Sequence, residues 1–279
     1  MLTVFLPCYN YYMNKEIIWL LKDKYNFSNS QISEFLLNRL PLELSSIRND
    51  DRDVYAKIQK DIERIQNGEP INYIIGWQKF LDCKIDLSLK PLIPRVETEY
   101  WVNEAIQTIN NQQELKVLDL CCGSGCIGIA ILKHIPSSTV TFSDISENAI
   151  LQTKINLEIN QMPENKYKII ESNLFDNINE KFDYIFTNPP YVSKNDFTPD
   201  SLKFEPELAL FADNNGMEAI ENILENFDKF LKPNGHLYLE FGVNQTDKIK
   251  EILMSKHLMN FEFIKDQYKT DRVLHYRLM

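Results

Sequence analysis

From Lys116 to Thr187, short apolar segments suited to β-strands alternate with longer segments of helical periodicity, and this alternation constrains the fold most. The strand-like segments are Lys116 to Leu120, Thr139 to Ser143, Tyr167 to Glu171 and Phe182 to Thr187. Ile127 to His134 and Glu147 to Asn160 read as helices between them. Strands joined through helices must cross over the sheet, so they run parallel and the helices cover its faces. A helix from Gly216 to Leu231, a strand from His236 to Phe241 and a helix from Gln245 to Lys256 extend the pattern. Two closing strands, Phe261 to Lys265 and Val273 to Leu278, are expected as an antiparallel edge.

The chain before this region has a different period. Between Asn14 and Asn67 apolar residues recur at helical spacing, as in Ile17, Ile18, Leu20 and Leu21, then Ile32, Phe35, Leu36 and Leu40, then Val54, Ile58, Ile62 and Ile65. Three or four helices forming a small bundle are expected, with Ser28 or Asn29 capping the second and Gly68 with Pro70 ending the last. Residues 71–92 read as short strands or a hairpin, and a further helix runs from Thr98 to about Asn110. A length of 279 residues suits such a division: helical domain 1–70, hairpin linker 71–92, larger domain 93–279.

Three motifs carry chemistry. Val117 to Gly128 is an apolar strand entering a glycine turn, Cys121-Cys122-Gly123-Ser124-Gly125, and then a helix, which lets backbone approach a ligand closely. Nineteen residues past Gly125, Asp144 ends the next strand, where α/β folds bind the ribose of an adenosine ligand. The alternative, that Asp144 caps the following helix, competes with Ser146 for that role. The third motif, Asn188-Pro189-Pro190-Tyr191, stops a strand abruptly. The Asn188 side-chain oxygen and the Pro189 carbonyl offer two acceptors for the two N–H groups of an –NH₂, with Tyr191 covering its flat face. Holding both protons of a delocalised nitrogen in this way aims its lone pair at an electrophile.

Together these motifs resemble the amino-group methyltransferases, and further segments resemble the release-factor glutamine methyltransferases, the HemK family. Those segments are Pro70 to Gly76 with Phe80, Leu92-Ile93-Pro94-Arg95-Val96-Glu97-Thr98-Glu99, Phe204-Glu205-Pro206 with Ala209 to Phe211, Gly235, Glu240-Phe241-Gly242 with Gln245, and Lys265-Asp266 followed by Asp271-Arg272. The resemblance runs from about Glu69 to the end. It implies an α/β fold, a Rossmann-like class I methyltransferase sheet with a small N-terminal helical bundle joined by a β-hairpin and helping to bind the release factor. It also implies S-adenosylmethionine as donor, S-adenosylhomocysteine as product, no metal, and the side-chain amide nitrogen of a release-factor glutamine as acceptor. The glycine turn is expected beside the donor's methionine portion, Asp144 on the ribose, Asn173 and Leu174 beside the adenine, and Asn188 to Tyr191 around the glutamine.

This chain departs from the family pattern at Cys121, where glycine is usual, at Val96, where proline is usual, and at Asn173, where aspartate is usual. Arg95, Glu97, Glu205 and Glu240 read either as surface or capping groups or as cleft residues, Glu97 and Glu205 being the better cleft candidates. A rival reading is an adenine-N6 type nucleic-acid methyltransferase, since a ring amine asks for the same acceptor pair. A net charge of −10 and a pI near 5.0 weigh against it, because tight nucleic-acid binding draws on Lys and Arg. A non-enzymatic scaffold has no use for an amine-holding pair.

No apolar run approaches the roughly 18 residues a membrane helix needs, and Met1 to Tyr12 lacks the basic flank of a signal or transit peptide, with Met13 as an alternative start. Cys8, Cys83, Cys121, Cys122 and Cys126 form no CxxC pair, so reduced thiols in a cytoplasmic monomer are expected, and no zinc.

Overall fold

A computed structural model describes residues 6–37, 49–109, 114–196 and 199–279. The chain divides after Gly76 into two units. The first holds helices α1 (Leu6–Asp23), α2 (Asn29–Leu37), α3 (Asn49–Gln66) and the short α4 (Ile71–Ile75). The periodic residues Leu21, Ile32, Phe35 and Ile58 form its core, with the Phe35 ring stacked on Tyr55 at 6.0 Å. Leu40 lies outside the described residues, as does the side chain of Leu36. Ser28 caps α2 reciprocally: its N–H donates to Gln31 Oε1 at 2.9 Å, and the Gln31 N–H returns to Ser28 Oγ at 3.4 Å. Asp61, buried in α3, accepts from Lys24 Nζ, the Tyr25 hydroxyl and Arg64. Against the upward push of burial, those three donors hold its carboxyl below the usual range. Residues 71–75, read from sequence as extended, are helical because Pro70 presets the entry φ and Gly76, at φ +91°, closes the turn.

The second unit opens with a hairpin of β1 (Trp77–Phe80) and β2 (Cys83–Asp86), turned through Leu81 and Asp82, both at positive φ. Helix α5 (Val96–Thr108) follows, its expected last residue, Asn110, lying outside the described set. Then come β3 (Leu115–Leu120), α6 (Cys126–His134), β4 (Ser138–Asp144), α7 (Glu147–Ile159), β5 (Tyr167–Glu171) and β6 (Phe182–Thr187). Past the short β7 (Val192–Ser193), α8 (Glu207–Leu210) and β8 (Phe211–Ala212), the chain forms α9 (Glu218–Asn226) and β9 (Leu231–Glu240). It ends with α10 (Thr246–Ser255), β10 (Phe261–Lys265) and β11 (Asp271–Arg277).

The helix expected to reach Leu231 ends five residues early, because residues 227–230 tighten into a 3₁₀ turn. Strand β9 then begins sooner than expected: Leu231 pairs with Phe182, and the register slips over Pro233, Asn234 and Gly235 before His236 pairs with Tyr184. Seven strands lie in the order β10-β11-β9-β6-β3-β4-β5. The five from β9 to β5 are parallel, and β10 and β11 make the antiparallel edge. The chain moves outward from β3 to β5 and then returns to the other side of β3. The crevice beyond the C-terminal ends of β3 and β6 is therefore the switch point at which such sheets take ligands.

Polar residues of α7 and of its C-cap, Asn160, tie the hairpin to this sheet. Asn156 accepts the Asp86 N–H at 2.7 Å and donates to the Asp86 carbonyl, and Asn160 does the same for Lys84. Gln152, one turn earlier, accepts the Leu89 N–H. Side chains spaced by four along a helix thus act as the missing neighbour of an edge strand. Among the described residues no helix is long and apolar enough to cross a membrane.

Candidate active site

The glycine turn sits at the switch point. Cys121, Gly123 and Gly125 have φ of +59°, +55° and +76°, so the backbone coils left-handed between β3 and α6. Glycine adopts this conformation without strain, and a cysteine pays a steric cost for it. Thr153 Oγ1 donates to the Gly123 carbonyl and Asn156 to that of Ser124, so α7 braces the turn from behind. Helix α6 starts at Cys126 with no side-chain cap from Gly125. Its third N–H, from Gly128, is taken by the buried Asp119. Cys126 and Ile127, the first residues of α6, line the cavity at this end of the sheet, and a helix N-terminus there suits a carboxylate.

Asp144 ends β4 opposite this turn. Its Oδ2 accepts the Gly123 N–H and its Oδ1 the Ser146 N–H, both at 2.9 Å. Burial pushes its pKa up, and the N–H groups of Ser146, Gly123 and Ile145 oppose the shift. Capping of α7 falls to Ser146, whose Oγ accepts from Ala149. Asp144 is left facing a cavity of about 370 Å³ whose wall also includes Cys121, Cys122, Gly123 and Ser124. Ile145, half exposed and not singled out by its sequence context, adds an apolar face, and Asn173 and Leu174 line the same cavity. The Cys121, Cys122 and Cys126 thiols, raised chiefly by burial, are neutral. Cys8 lies outside the residues whose side chains are described, and Cys83, Cys121, Cys122 and Cys126 are free. Among the described residues no cluster of His, Cys, Asp or Glu is arranged to hold a metal.

Asn188 to Tyr191 follow β6 at the same end of the sheet. A second cavity of about 250 Å³ is lined by Asn188, Pro189 and Tyr191, and Asn188, Leu92, Arg95 and Ala209 belong to both cavities. Pro190 faces the larger one. The loop is pinned from several sides. Asn188 Nδ2 donates to Thr98 Oγ1 at 3.2 Å, and the Tyr191 hydroxyl donates to Glu240 Oε1 at 3.0 Å. Gln245 donates to the Tyr191 carbonyl while accepting the Gly242 N–H. Gly216, at φ +81°, lies so close to the Tyr191 carbonyl that no side chain fits there.

The charged candidates divide. Arg95 lines both cavities and pairs with Glu205 at 2.7 Å, while the other Glu205 oxygen accepts the Ile93 N–H. Glu205 is buried and holds the Ile93 to Arg95 segment in place, with no surface left to line the cleft. Glu97 is half-buried on α5 and lines neither cavity; its neighbour Thr98 faces the larger one. Glu240, read as a surface or capping group as readily as a cleft residue, is 1% exposed and accepts from Thr98, Trp101 and Tyr191. Burial raises its pKa, and those donors together with the charge of Arg272 oppose the shift. A carboxylate set between Leu239 and Phe241 at the end of β9 was the available sign of its importance, since strand ends are where such sheets place ligands.

Comparison with known proteins agrees with this geometry. Residues 104–203 match the family model described as the methyltransferase small domain. The chain is 35% identical over 243 residues to the release factor glutamine methyltransferase of Lactococcus lactis, covering 85% of this chain and 88% of that one. It is 38% identical over 211 residues to the release factor glutamine methyltransferase of Streptococcus pneumoniae, covering 74% of each. A methyltransferase structure from Pyrococcus furiosus shares the fold, with a TM-score of 0.54 at 16% identity over 78% of this chain and 98% of that one. A cavity at the switch point, the Asn-Pro-Pro-Tyr loop beside it and relatives matched over most of their length converge: the chain belongs to the release factor glutamine methyltransferase family.

Proposed function

We propose that this protein transfers a methyl group from S-adenosylmethionine to the side-chain amide nitrogen of a glutamine in a peptide chain release factor. The observation that carries this reading is the meeting of the two cavities at Asn188. One is large enough for a nucleoside with an amino-acid tail, and the other is a narrower cleft beside two acceptor oxygens. The donor fits the residues present: the Asp144 oxygens keep lone pairs for a ribose diol, Ile145 and Leu174 offer apolar faces for a base, and Asn173 offers an amide oxygen to an exocyclic amine. Cys121 to Gly125 bring backbone, and the first turn of α6 brings uncapped N–H groups, to the methionine portion.

The bound donor supplies a methyl group already activated on a sulfonium, so this reading needs no metal. In the cleft, Asn188 Oδ1 and the Pro189 carbonyl accept the two amide N–H groups and aim the nitrogen lone pair along the line of transfer. Tyr191 walls the cleft and Pro190 stiffens the loop. A new N–C bond forms as the S–C bond breaks, and the surplus amide proton leaves to water. Asn188 is neutral and is no base for that proton; positioning supplies most of the rate. Arg95, held by Glu205, borders the route by which the glutamine enters. The residues before Gly76 are read as a docking domain for the release factor, and the enzyme as a cytoplasmic monomer.

Incubating the protein with labelled donor and either purified release factors or tRNA, rRNA and DNA tests this reading. Label in release factor, at a glutamine, is expected. Label in nucleic acid would replace the protein acceptor with a ring amine.

A further inference from the structure

The amide of Asn188 has two orientations of nearly equal shape, and only one presents an oxygen to the acceptor amine. In the other, its –NH₂ faces another –NH₂, donor against donor. Something in the fold must select between them. The selection begins at Trp101, whose indole N–H is a donor only. Its ring packs parallel to both Phe186, at 6.1 Å, and Tyr238, at 6.3 Å, two rings 5.1 Å apart, and this packing fixes the direction of that N–H. It donates to Glu240 Oε2 at 2.7 Å, so this oxygen is an acceptor. Thr98, one helical turn earlier on α5, donates its hydroxyl proton to the same oxygen at 2.7 Å. With that proton spent, the Thr98 oxygen turns a lone pair toward Asn188, and only the Nδ2 side of the amide can meet it. Oδ1 is therefore left for the cleft.

We propose that Trp101, Glu240 and Thr98 form a hydrogen-bond relay that fixes the amide of Asn188 with its oxygen toward the acceptor, making Thr98 and Glu240 positioning residues for methyl transfer. Thr98, Trp101 and Glu240 are each 1% exposed, so water does not compete for these bonds. The relay depends on direction and not on charge. A glutamine at 240 can place its oxygen where Oε2 stands, accept from both α5 donors, and turn its –NH₂ to the Tyr191 oxygen.

The proposal rests on the reading of Asn188 as the amine holder, and the variants separate the two. Single-turnover methylation of intact release factor is measured beside the dissociation constant for S-adenosylmethionine and the melting temperature. Thr98→Val should lower the rate at least tenfold with donor affinity within threefold of wild type. Thr98→Ser, which restores the hydroxyl, should recover the rate to within threefold, and Glu240→Gln should stay within about fivefold. Asn188→Ala should lose nearly all transfer. An active Asn188→Ala would overturn the amine-holder reading itself. An inactive Asn188→Ala beside a Thr98→Val enzyme as fast as wild type would overturn the relay alone. A Glu240→Gln enzyme as slow as Thr98→Val, or failure of serine to rescue, would also overturn it, by showing that charge or packing matters and hydrogen-bond direction does not.

Discussion

Both oxygens of Asp144 already accept a backbone N–H, yet each keeps a lone pair toward the cavity. The residue closes the glycine turn onto β4 and, in the proposed function, also offers acceptors to a diol. Asp144→Ala removes both and is expected to weaken S-adenosylmethionine binding by roughly 1 to 3 kcal/mol, the cost of leaving polar partners unmet in a buried site. Calorimetry decides it, and a dissociation constant within twofold of wild type would remove Asp144 from the ribose. Asp144 and Asn188 could be singled out in the sequence, Asp144 because it ends a strand nineteen residues past Gly125, and Asn188 because two prolines follow it where a strand stops. Thr98 and Glu240 were not, since they stand 142 positions apart and meet only once α5 packs on the sheet. Gln152 and Asn156 were hidden for a like reason: amides on a helix read as solvated until a hairpin some 70 residues earlier folds against them.

The elements that position the site are held by close approach. Helix α6 lies on β4 through Gly128, where an added Cβ would enter the Phe142 ring and come within 2.9 Å of Val140 Cγ1. Gly128→Ala is expected to destabilise the protein by about 2 to 3 kcal/mol, since the Phe142 ring and the Val140 side chain both resist movement in a packed core. Urea unfolding would measure it, and an unchanged midpoint would mean that α6 can slide on the sheet. On the far side, β9 and β11 are joined by a stacked pair, His236 and His275, sharing one hydrogen bond of 2.9 Å. Burial first, then the neighbouring His275 and Arg277, pushes His236 down from 6.5 to about 4. The unfolded chain therefore takes up this proton at a higher pH than the folded one. The associated stability is intact above pH 6.5 and is lost as pH falls from there toward 4, on the order of 1 to 2 kcal/mol after allowance for partial exposure. His236→Phe should flatten the fall of the urea midpoint between pH 7 and pH 5, and an unaltered slope would assign the acid sensitivity elsewhere. The parallel strands and the antiparallel edge were legible from the alternating periods; the early start of β9 was not, because pairing of Leu231 with Phe182 precedes the irregular Pro233 to Gly235 stretch.

For the molecule as a whole, the question is how one glutamine is chosen among the many on protein surfaces. A side-chain amide held by two acceptors offers far less contact than a specific protein pair needs, so selection must draw on a larger surface. The helices before Gly76 carry no nucleotide or catalytic motif, yet they keep a core of their own around Leu21, Ile32, Phe35 and Ile58. Such a unit has a use beyond the chemistry, and docking of the release factor is the use proposed for it. Removing residues 1–70 should leave the dissociation constant for S-adenosylmethionine nearly unchanged, because every residue lining the donor cavity lies after Gly76. The same deletion should lower kcat/KM for intact release factor at least tenfold, and a short glutamine-containing peptide should be a poor substrate for both forms. Donor affinity serves as the check that the remaining unit is folded. If that affinity holds and the shortened enzyme methylates release factor as well as the full chain does, the N-terminal helices are a stabilising element, and the surface that selects the glutamine belongs to the sheet domain.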